Sequence, residues 1–105
     1  MRNILLVCNA GMSTSILVKK MQEHAEKVGY ECSIRAQPSA AIDEKEKFDI
    51  VLLGPQIRHQ LKKIKESLAP TPVELIDTVA YGMMDGKSVL EKAMKILGDA
   101  WWLVS

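Results

Sequence analysis

A cysteine at the end of the first apolar run is the residue of this chain best placed to do chemistry. Residues 4–7 are Ile-Leu-Leu-Val, and Cys8 follows them directly. The thiolate form of cysteine is a nucleophile that can form covalent intermediates. A cysteine at the end of a strand can also be a small apolar core residue. The residues after Cys8 therefore have to decide between a reactive thiol and a structural one.

The segment after Cys8 favours a reactive thiol. Its members are small or hydroxylic apart from one methionine: Asn9, Ala10, Gly11, Met12, Ser13, Thr14 and Ser15. Where such a segment enters a helix, backbone N–H groups and the helix dipole attract an anion of phosphate size. The glycine allows close approach of the backbone, and the hydroxyls can donate hydrogen bonds. We therefore predict that residues 9–15 bind a phosphoryl group that Cys8 accepts, and that the same field favours its thiolate.

The loop lacks the arginine that a cysteine phosphatase uses. Those enzymes carry a cysteine, five residues and then arginine, whereas the sixth residue after Cys8 is Thr14 and the first cationic residue that follows Cys8 is Lys19. A guanidinium stabilises the charge on a transferring phosphoryl group. Its absence predicts slow attack by water on a phosphocysteine. A phosphoryl carrier is therefore the leading hypothesis, with a cysteine-dependent phosphatase of the low-molecular-weight type as the alternative.

Composition and the other reactive residues narrow the remaining classes. Lys+Arg (14) and Asp+Glu (13) nearly cancel, which argues against nucleic acid as a main ligand. Cys32 lies within an alternating segment and no CxxC is present, so a redox pair is disfavoured. A receiver domain would need an acidic cluster after the first strand, and neither Arg2-Asn3 nor Cys8-Asn9 supplies one. His24 and His59 are rival phosphorylation sites, but neither follows a predicted strand.

The apolar patterning predicts an α/β fold with four parallel strands. Residues 4–7 and 50–53 are wholly apolar, as in strands buried on both faces, and residues 73–76 form a further strand. Residues 31–36 alternate, which is typical of an outer strand. Helical spacing follows the first strand up to Gly29, recurs over about 56–68, and resumes after Asp85-Gly86. Strands that alternate with helices form an open sheet with helices on both faces.

Ligands of such sheets bind at the carboxyl ends of the strands. Besides the Cys8 loop, this edge is predicted to include Gln56, Asp77 and Tyr81 as rim residues. Asp77 could act as a general acid or cap the following turn. Tyr81 could close over the loop and limit access of water, or simply pack. We also expect a soluble cytoplasmic protein, because residues 4–7 are too short for a signal sequence and no run is long enough to span a membrane. A monomer is expected because no large exposed apolar face is evident in the sequence.

Three segments at predicted strand ends carry a resemblance to a known family. They are, in chain order, Cys8-Asn9-Ala10-Gly11-Met12-Ser13-Thr14-Ser15, Leu52-Leu53-Gly54-Pro55-Gln56-Ile57, and Asp77 with Tyr81-Gly82 and Asp85-Gly86. The first is similar to the phosphorylation loop of the IIB component of the bacterial phosphoenolpyruvate-dependent sugar phosphotransferase system, in its lactose/cellobiose (chitobiose) branch. The other two resemble further motifs of that branch. The resemblance covers about residues 3–98.

The resemblance implies a function and a topology. A phosphohistidine IIA protein would donate its phosphoryl group to Cys8, which would pass it to a disaccharide bound by the membrane IIC protein. The implied fold is a four-stranded parallel sheet of order 2-1-3-4, similar to that of low-molecular-weight tyrosine phosphatases, with no metal and no organic cofactor. We expect residues 1–105 to form one such carrier domain, with an atypical tail over about 99–105 that contains Trp101-Trp102.

Overall fold

The fold is built on a four-stranded parallel sheet. The computed structural model describes residues 1–8 and 11–99, and for residues 11–13 the backbone alone. The strands are β1 (Arg2–Cys8), β2 (Cys32–Pro38), β3 (Ile50–Leu53) and β4 (Val73–Leu75). All are parallel and lie in the order β2-β1-β3-β4, which confirms the predicted order 2-1-3-4.

Helices cover both faces of the sheet. The α-helices are α1 (Gly11–Val28), α2 (Leu61–Leu68), α3 (Thr78–Gly82) and α4 (Gly86–Leu97), and two 3₁₀ helices span Ser39–Ala41 and Pro55–Gln60. Helices α1 and α4 pack together on one face, where the core includes Leu6, Met21 and Leu90. Helix α2 lies on the other face, over Leu5 and Val7. The wholly apolar run of residues 4–7 within β1 follows from this double coverage, because both faces of the strand are buried there.

The helix predicted over about 56–68 is divided in two. Residues Pro55–Gln60 form a 3₁₀ helix and only Leu61–Leu68 are α-helical. Within the first segment the backbone also kinks at Ile57, whose φ of −117° and ψ of 23° are not helical. Its side chain is buried in the core beneath α2, as the apolar spacing predicted. Tertiary packing of this one side chain thus overrides a continuous helix.

Other boundaries differ from the sequence predictions in smaller ways. Helix α1 begins at Gly11, within the segment predicted to lead into it, and ends before Gly29, whose φ is +73°. Ala36 in β2 is exposed although the alternation places it inward, because the covered part of this edge strand ends after the buried Ile34. The five-residue helix α3 was not predicted. The Trp101-Trp102 tail lies outside the described residues.

A network of polar side chains fastens the end of α4 to the start of β1. Arg2 Nε donates to Asp99 Oδ2 at 2.7 Å, and Tyr30 OH donates to the same oxygen at 2.5 Å. Arg2 also pairs with Asp49. The hydrogen bond from Arg2 lowers the pKa of Asp99, while burial and the bond to Asp99 raise the pKa of Tyr30. This network lies at the edge of the sheet opposite Cys8.

No helix in the described ranges combines the length and the apolar character needed to cross a bilayer.

Candidate functional site

Cys8 lies where the central strand meets the start of α1. It is the last residue of β1 and is 2% exposed. Helix α1 begins at Gly11, so the partial positive charge of its first turn is close to the strand end. Residues 9 and 10 are outside the described part of the chain, as are the side chains of residues 11–13. The prediction that residues 9–15 form a phosphate nest therefore stays a prediction.

Thr14 is in direct contact with the thiol. Its Oγ1 lies 2.6 Å from Cys8 Sγ and donates a hydrogen bond to it. Thr14 is 1% exposed, in the first turn of α1, so this hydroxyl is held in the interior rather than in water. The side chain of Ser15, the next predicted phosphate-binding residue, is exposed. A hydroxyl in this position can donate a charge-assisted hydrogen bond to a cysteine thiolate.

Tyr81 extends this contact into a chain of hydroxyl groups. Its ring is buried in the core that α1 and α4 share, and its OH lies 3.3 Å from Thr14 Oγ1. Either hydroxyl could be the donor in this contact, and Tyr81 is the donor when the single Thr14 proton is directed at Cys8 Sγ. The sequence left open whether Tyr81 closes over the loop or packs, and in the structure its ring is packed in the core. It adds a polar connection to Cys8 that sequence reasoning missed.

Asp77 caps the helix that carries Tyr81. Its carboxylate accepts a hydrogen bond from the backbone N–H of Ala80 at 3.0 Å, and it is the N-cap residue of α3. The backbone N–H of Tyr81 donates to the Asp77 carbonyl at 2.9 Å. The structure therefore shows the capping role that the sequence left open beside a general acid. Asp77 fixes the start of α3, and through it the position of the tyrosine.

Gly54 and Gln56 form the wall of the site contributed by the segment after β3. The N–H of Gly54 donates to the carbonyl of Val7 at 2.8 Å, next to Cys8. A Cβ atom at Gly54 would lie 2.7 Å from Gln56 Oε1 and 3.4 Å from Cys8 Cβ. Gln56 Oε1 and Cys8 Cβ therefore both border the space next to Gly54. Gln56 was predicted from the sequence as a rim residue. Gly54, which leaves room between Gln56 and Cys8, was not predicted, although Gly-Pro directly after an apolar strand indicates such a position.

The other candidate residues lie apart from Cys8. Cys32 pairs with Arg2 at the start of the strand register, while Cys8 pairs with Pro38. Six residues of strand place the two cysteines about 20 Å apart, too far for a disulfide. Burial raises the pKa of the Cys32 thiol. His24 Nε2 lies 3.5 Å from Glu91 between α1 and α4, and His59 is exposed.

Within residues 1–8 and 11–99 there is no group of three or more His, Cys, Asp or Glu side chains arranged to hold a metal ion.

Comparison of the sequence with known families gives one consistent result. The family model described as "PTS system, Lactose/Cellobiose specific IIB subunit" matches residues 3–92. The chain is 43% identical over 101 residues to the oligo-beta-mannoside-specific EIIB component of Bacillus subtilis (strain 168), covering 92% of this chain and 97% of that protein. It is 39% identical over 102 residues to the cellobiose-specific EIIB component of Lactococcus lactis subsp. lactis (strain IL1403), covering 90% and 94%.

Solved structures agree with the sequence comparison. The cellobiose-specific phosphotransferase IIB component protein from Borrelia burgdorferi matches with a TM-score of 0.76 at 39% identity, over 94% of each chain. The lactose-specific IIB component domain from Streptococcus pneumoniae matches with a TM-score of 0.76 at 16% identity, over 90% of this chain and 95% of that one. At the lower identity the likeness concerns the fold alone.

Proposed function

Because this chain belongs to the family of lactose/cellobiose-specific IIB subunits of the sugar phosphotransferase system, we propose that Cys8 is its phosphoryl-accepting nucleophile. The observation that carries the proposal is the position of this thiol. Cys8 ends the central strand beside the first turn of α1 and accepts a hydrogen bond from Thr14. Both features favour a thiolate and an adjacent phosphoryl dianion. Members of the family act as phosphotransferases in sugar transport, and Cys8 would hold the group in transit.

The proposed reaction has two phosphoryl-transfer steps. In the first, the Cys8 thiolate attacks the phosphorus of a phosphohistidine on the IIA protein. The S–P bond forms, the N–P bond breaks, and the leaving imidazole nitrogen keeps the electron pair and takes a proton from water. In the second, a sugar hydroxyl attacks the same phosphorus, the S–P bond breaks, and the thiolate is regenerated while the hydroxyl proton leaves to a base or to water. No metal and no cofactor take part in either step.

The environment of the thiol favours a carrier over a phosphatase. Thr14 stands where a cysteine phosphatase has arginine, and its buried hydroxyl is directed at Cys8 Sγ. A hydroxyl supplies much less charge stabilisation to a transferring phosphoryl group than a guanidinium does. Asp77, the residue otherwise suited to a general acid, caps α3 instead. Water attack on phosphocysteine is therefore slow, and a partner protein supplies the missing cation during transfer.

The proposed partners are the phosphorylated IIA protein as donor and the membrane IIC protein, which binds the sugar, on the acceptor side. The relatives bear names that specify an oligo-beta-mannoside, galactose and cellobiose. We assign this chain to a disaccharide of the cellobiose, chitobiose and lactose class, with the IIB domain acting as a cytoplasmic monomer. Val79 and Met83, two exposed apolar side chains on and next to α3, support transient docking near the site.

Mass spectrometry of the intact protein tests the proposal. The chain is incubated with phosphoenolpyruvate and the upstream carrier proteins, and the mass of one added phosphate is sought. Cys32→Ser is the matched control, since it also removes a buried thiol, and it retains the added phosphate. Cys8→Ser loses it. Retention of the phosphate in Cys8→Ser would refute the assignment, and multiple turnover of an aryl phosphate by the unmodified chain would favour the phosphatase.

A further inference from the structure

We propose that Tyr81 is a positioning residue for Cys8 and acts through the Thr14 hydroxyl. The inference rests on the proposed function, because it assigns a device that prepares the same thiol for transfer. Its basis is the chain of contacts from Tyr81 OH to Thr14 Oγ1 at 3.3 Å and from Thr14 Oγ1 to Cys8 Sγ at 2.6 Å. Tyr81 acts through Thr14 and is therefore a positioning residue rather than a catalytic one.

Counting protons fixes the direction of this chain. A threonine hydroxyl has one proton to donate and lone pairs with which to accept. The proton of Thr14 points at Cys8 Sγ, so the contact with Tyr81 can form only with the tyrosine as donor. A donor to Thr14 Oγ1 polarises its O–H bond and strengthens the bond to sulfur, the cooperative effect expected of hydrogen bonds in series. Tyr81 also fixes the threonine in the rotamer that reaches Cys8.

The fold makes Tyr81 a rigid donor. Its side chain is 7% exposed and belongs to the core shared by α1 and α4. Asp77 caps the helix that carries it, and the N–H of Met84 donates to the Tyr81 carbonyl at 3.1 Å. A buried hydroxyl that made no hydrogen bond would be unfavourable, so the tyrosine favours the arrangement in which Thr14 is its acceptor. A phenylalanine would pack equally well, and the hydroxyl is therefore the informative group.

The hydrogen bonds of Tyr81 and Thr14 also act after the phosphoryl group has been transferred to Cys8. The thiolate carries a full negative charge and is a good acceptor for Thr14. Once the S–P bond has formed, the negative charge lies on the phosphoryl oxygens and the sulfur becomes a poor acceptor. The Thr14 hydroxyl is then released to donate to a phosphoryl oxygen, while Tyr81 remains its donor. The pair stabilises the charged species before and after transfer and disfavours the neutral thiol.

The test follows the reactivity of one thiol against pH and needs no partner protein. In a Cys32→Ser background, alkylation by iodoacetamide reports Cys8 alone. Thr14 and Gln56 carry no titratable side chain, and Tyr81 is the titratable residue of the series Tyr81–Thr14 that leads to Cys8. Tyr81→Phe is the test variant. Tyr30→Phe is the matched control, because it removes a tyrosine hydroxyl that donates to Asp99 at the opposite edge of the sheet.

The expected result is a displacement of the alkylation profile toward higher pH. Loss of the Thr14 donor, in Thr14→Val, lowers the ionisation constant of the thiol about 10- to 100-fold, the value of a hydrogen bond to a charged group. Tyr81→Phe lowers it about two- to fivefold, the share that one further bond in series adds. Thr14→Ser keeps the hydroxyl and restores most of the parent profile, and Tyr30→Phe leaves the profile unchanged.

Two results would overturn the inference. One is a Tyr81→Phe profile that superimposes on the parent profile, and the other is an equal displacement in Tyr30→Phe, which would indicate a general loss of stability. If Thr14→Val does not fold, as judged by circular dichroism, the comparison of Tyr81→Phe with Tyr30→Phe still decides. The outcome is separate from that of the proposed function, because phosphate retained by Cys8→Ser would refute the carrier role without changing any alkylation profile.

Discussion

Gly86 is the position at which the structure predicts the largest effect of adding a single methyl group. It is the first residue of α4 and contacts the backbone of α1. A Cβ atom there would lie 2.5 Å from the backbone N of Met21 and 2.6 Å from the backbone C of Lys20. Neither atom belongs to a flexible side chain that could turn away. Gly86→Ala therefore requires the two helices themselves to move apart.

The required movement sets the size of the effect. Ordinary contacts of a Cβ atom begin at 3.4 Å, so α1 and α4 must separate by about 0.9 Å, the difference from 2.5 Å. Their interface includes the fully buried Leu17, Met21, Leu90 and Met94. Overpacking of a well-packed core costs about 1–3 kcal/mol, and we expect the upper end of this range because backbone must shift. That is a large share of the roughly 5–15 kcal/mol that stabilises a domain.

Urea unfolding of Gly86→Ala against a matched glycine variant measures this effect. Gly82→Ala is the control, because a Cβ atom at Gly82 meets nothing within 4 Å and the residue lies in helix α3. Alanine should stabilise that helix by about 0.5–1 kcal/mol relative to glycine. We expect the two variants to change the free energy of unfolding in opposite directions. A Gly86→Ala protein as stable as the parent would refute the close contact between α1 and α4.

Three further predictions concern the site and the polar network. Asp77→Ala should destabilise the protein by about 1 kcal/mol through loss of the α3 cap, whereas Asp77→Asn, which also caps, should keep both stability and phosphoryl transfer; loss of transfer in the asparagine variant alone would reveal carboxylate chemistry. The pKa of Asp99 is lowered in the folded protein, so its contribution to stability is present above the ordinary aspartate range and is lost as the pH falls through the lowered pKa. Asp99→Asn should therefore reduce the fall of the melting temperature at acid pH. An unchanged fall would contradict this prediction. Gly54→Ala should leave stability nearly unchanged, since its φ of −63° and ψ of 151° suit alanine, but it should displace the Gln56 side chain. If the rates of transfer from a phosphorylated IIA protein fall equally in Gly54→Ala and Gln56→Ala, the Gln56 amide contributes to transfer. Unequal rates would show that the two residues act separately.

The topology was accessible from the sequence because burial on both faces leaves a simple pattern. Residues 4–7 and 50–53 are wholly apolar, and they form the two inner strands of the sheet. The alternation after Glu31 identified an edge strand for the same reason, since only one of its faces is well covered. Caps were equally legible, because Gly29 and Asp85 act on their immediate neighbours. Periodicity and local hydrogen bonding are properties of short segments.

The details of helix division and close packing needed the tertiary structure. Nothing in residues 56–68 indicates that Ile57 leaves helical geometry, since the cause is the core into which its side chain packs. The importance of Gly86 was equally hidden. Asp85-Gly86 reads as a turn and cap, and the steric requirement comes from Lys20 and Met21 in another helix. Both effects depend on atoms far away along the chain.

The candidate site divides along the same line. Sequence by itself determined that Cys8 ends a buried strand, that a hydroxyl-rich segment follows it, and that arginine is absent from this segment, because all three are properties of consecutive residues. Only the tertiary structure decided which hydroxyl meets the sulfur and what lies behind it. Thr14 is six residues from Cys8, but Tyr81 is 67 residues from Thr14, and their contact exists because α3 and α1 contribute to the same hydrophobic core on one face of the sheet.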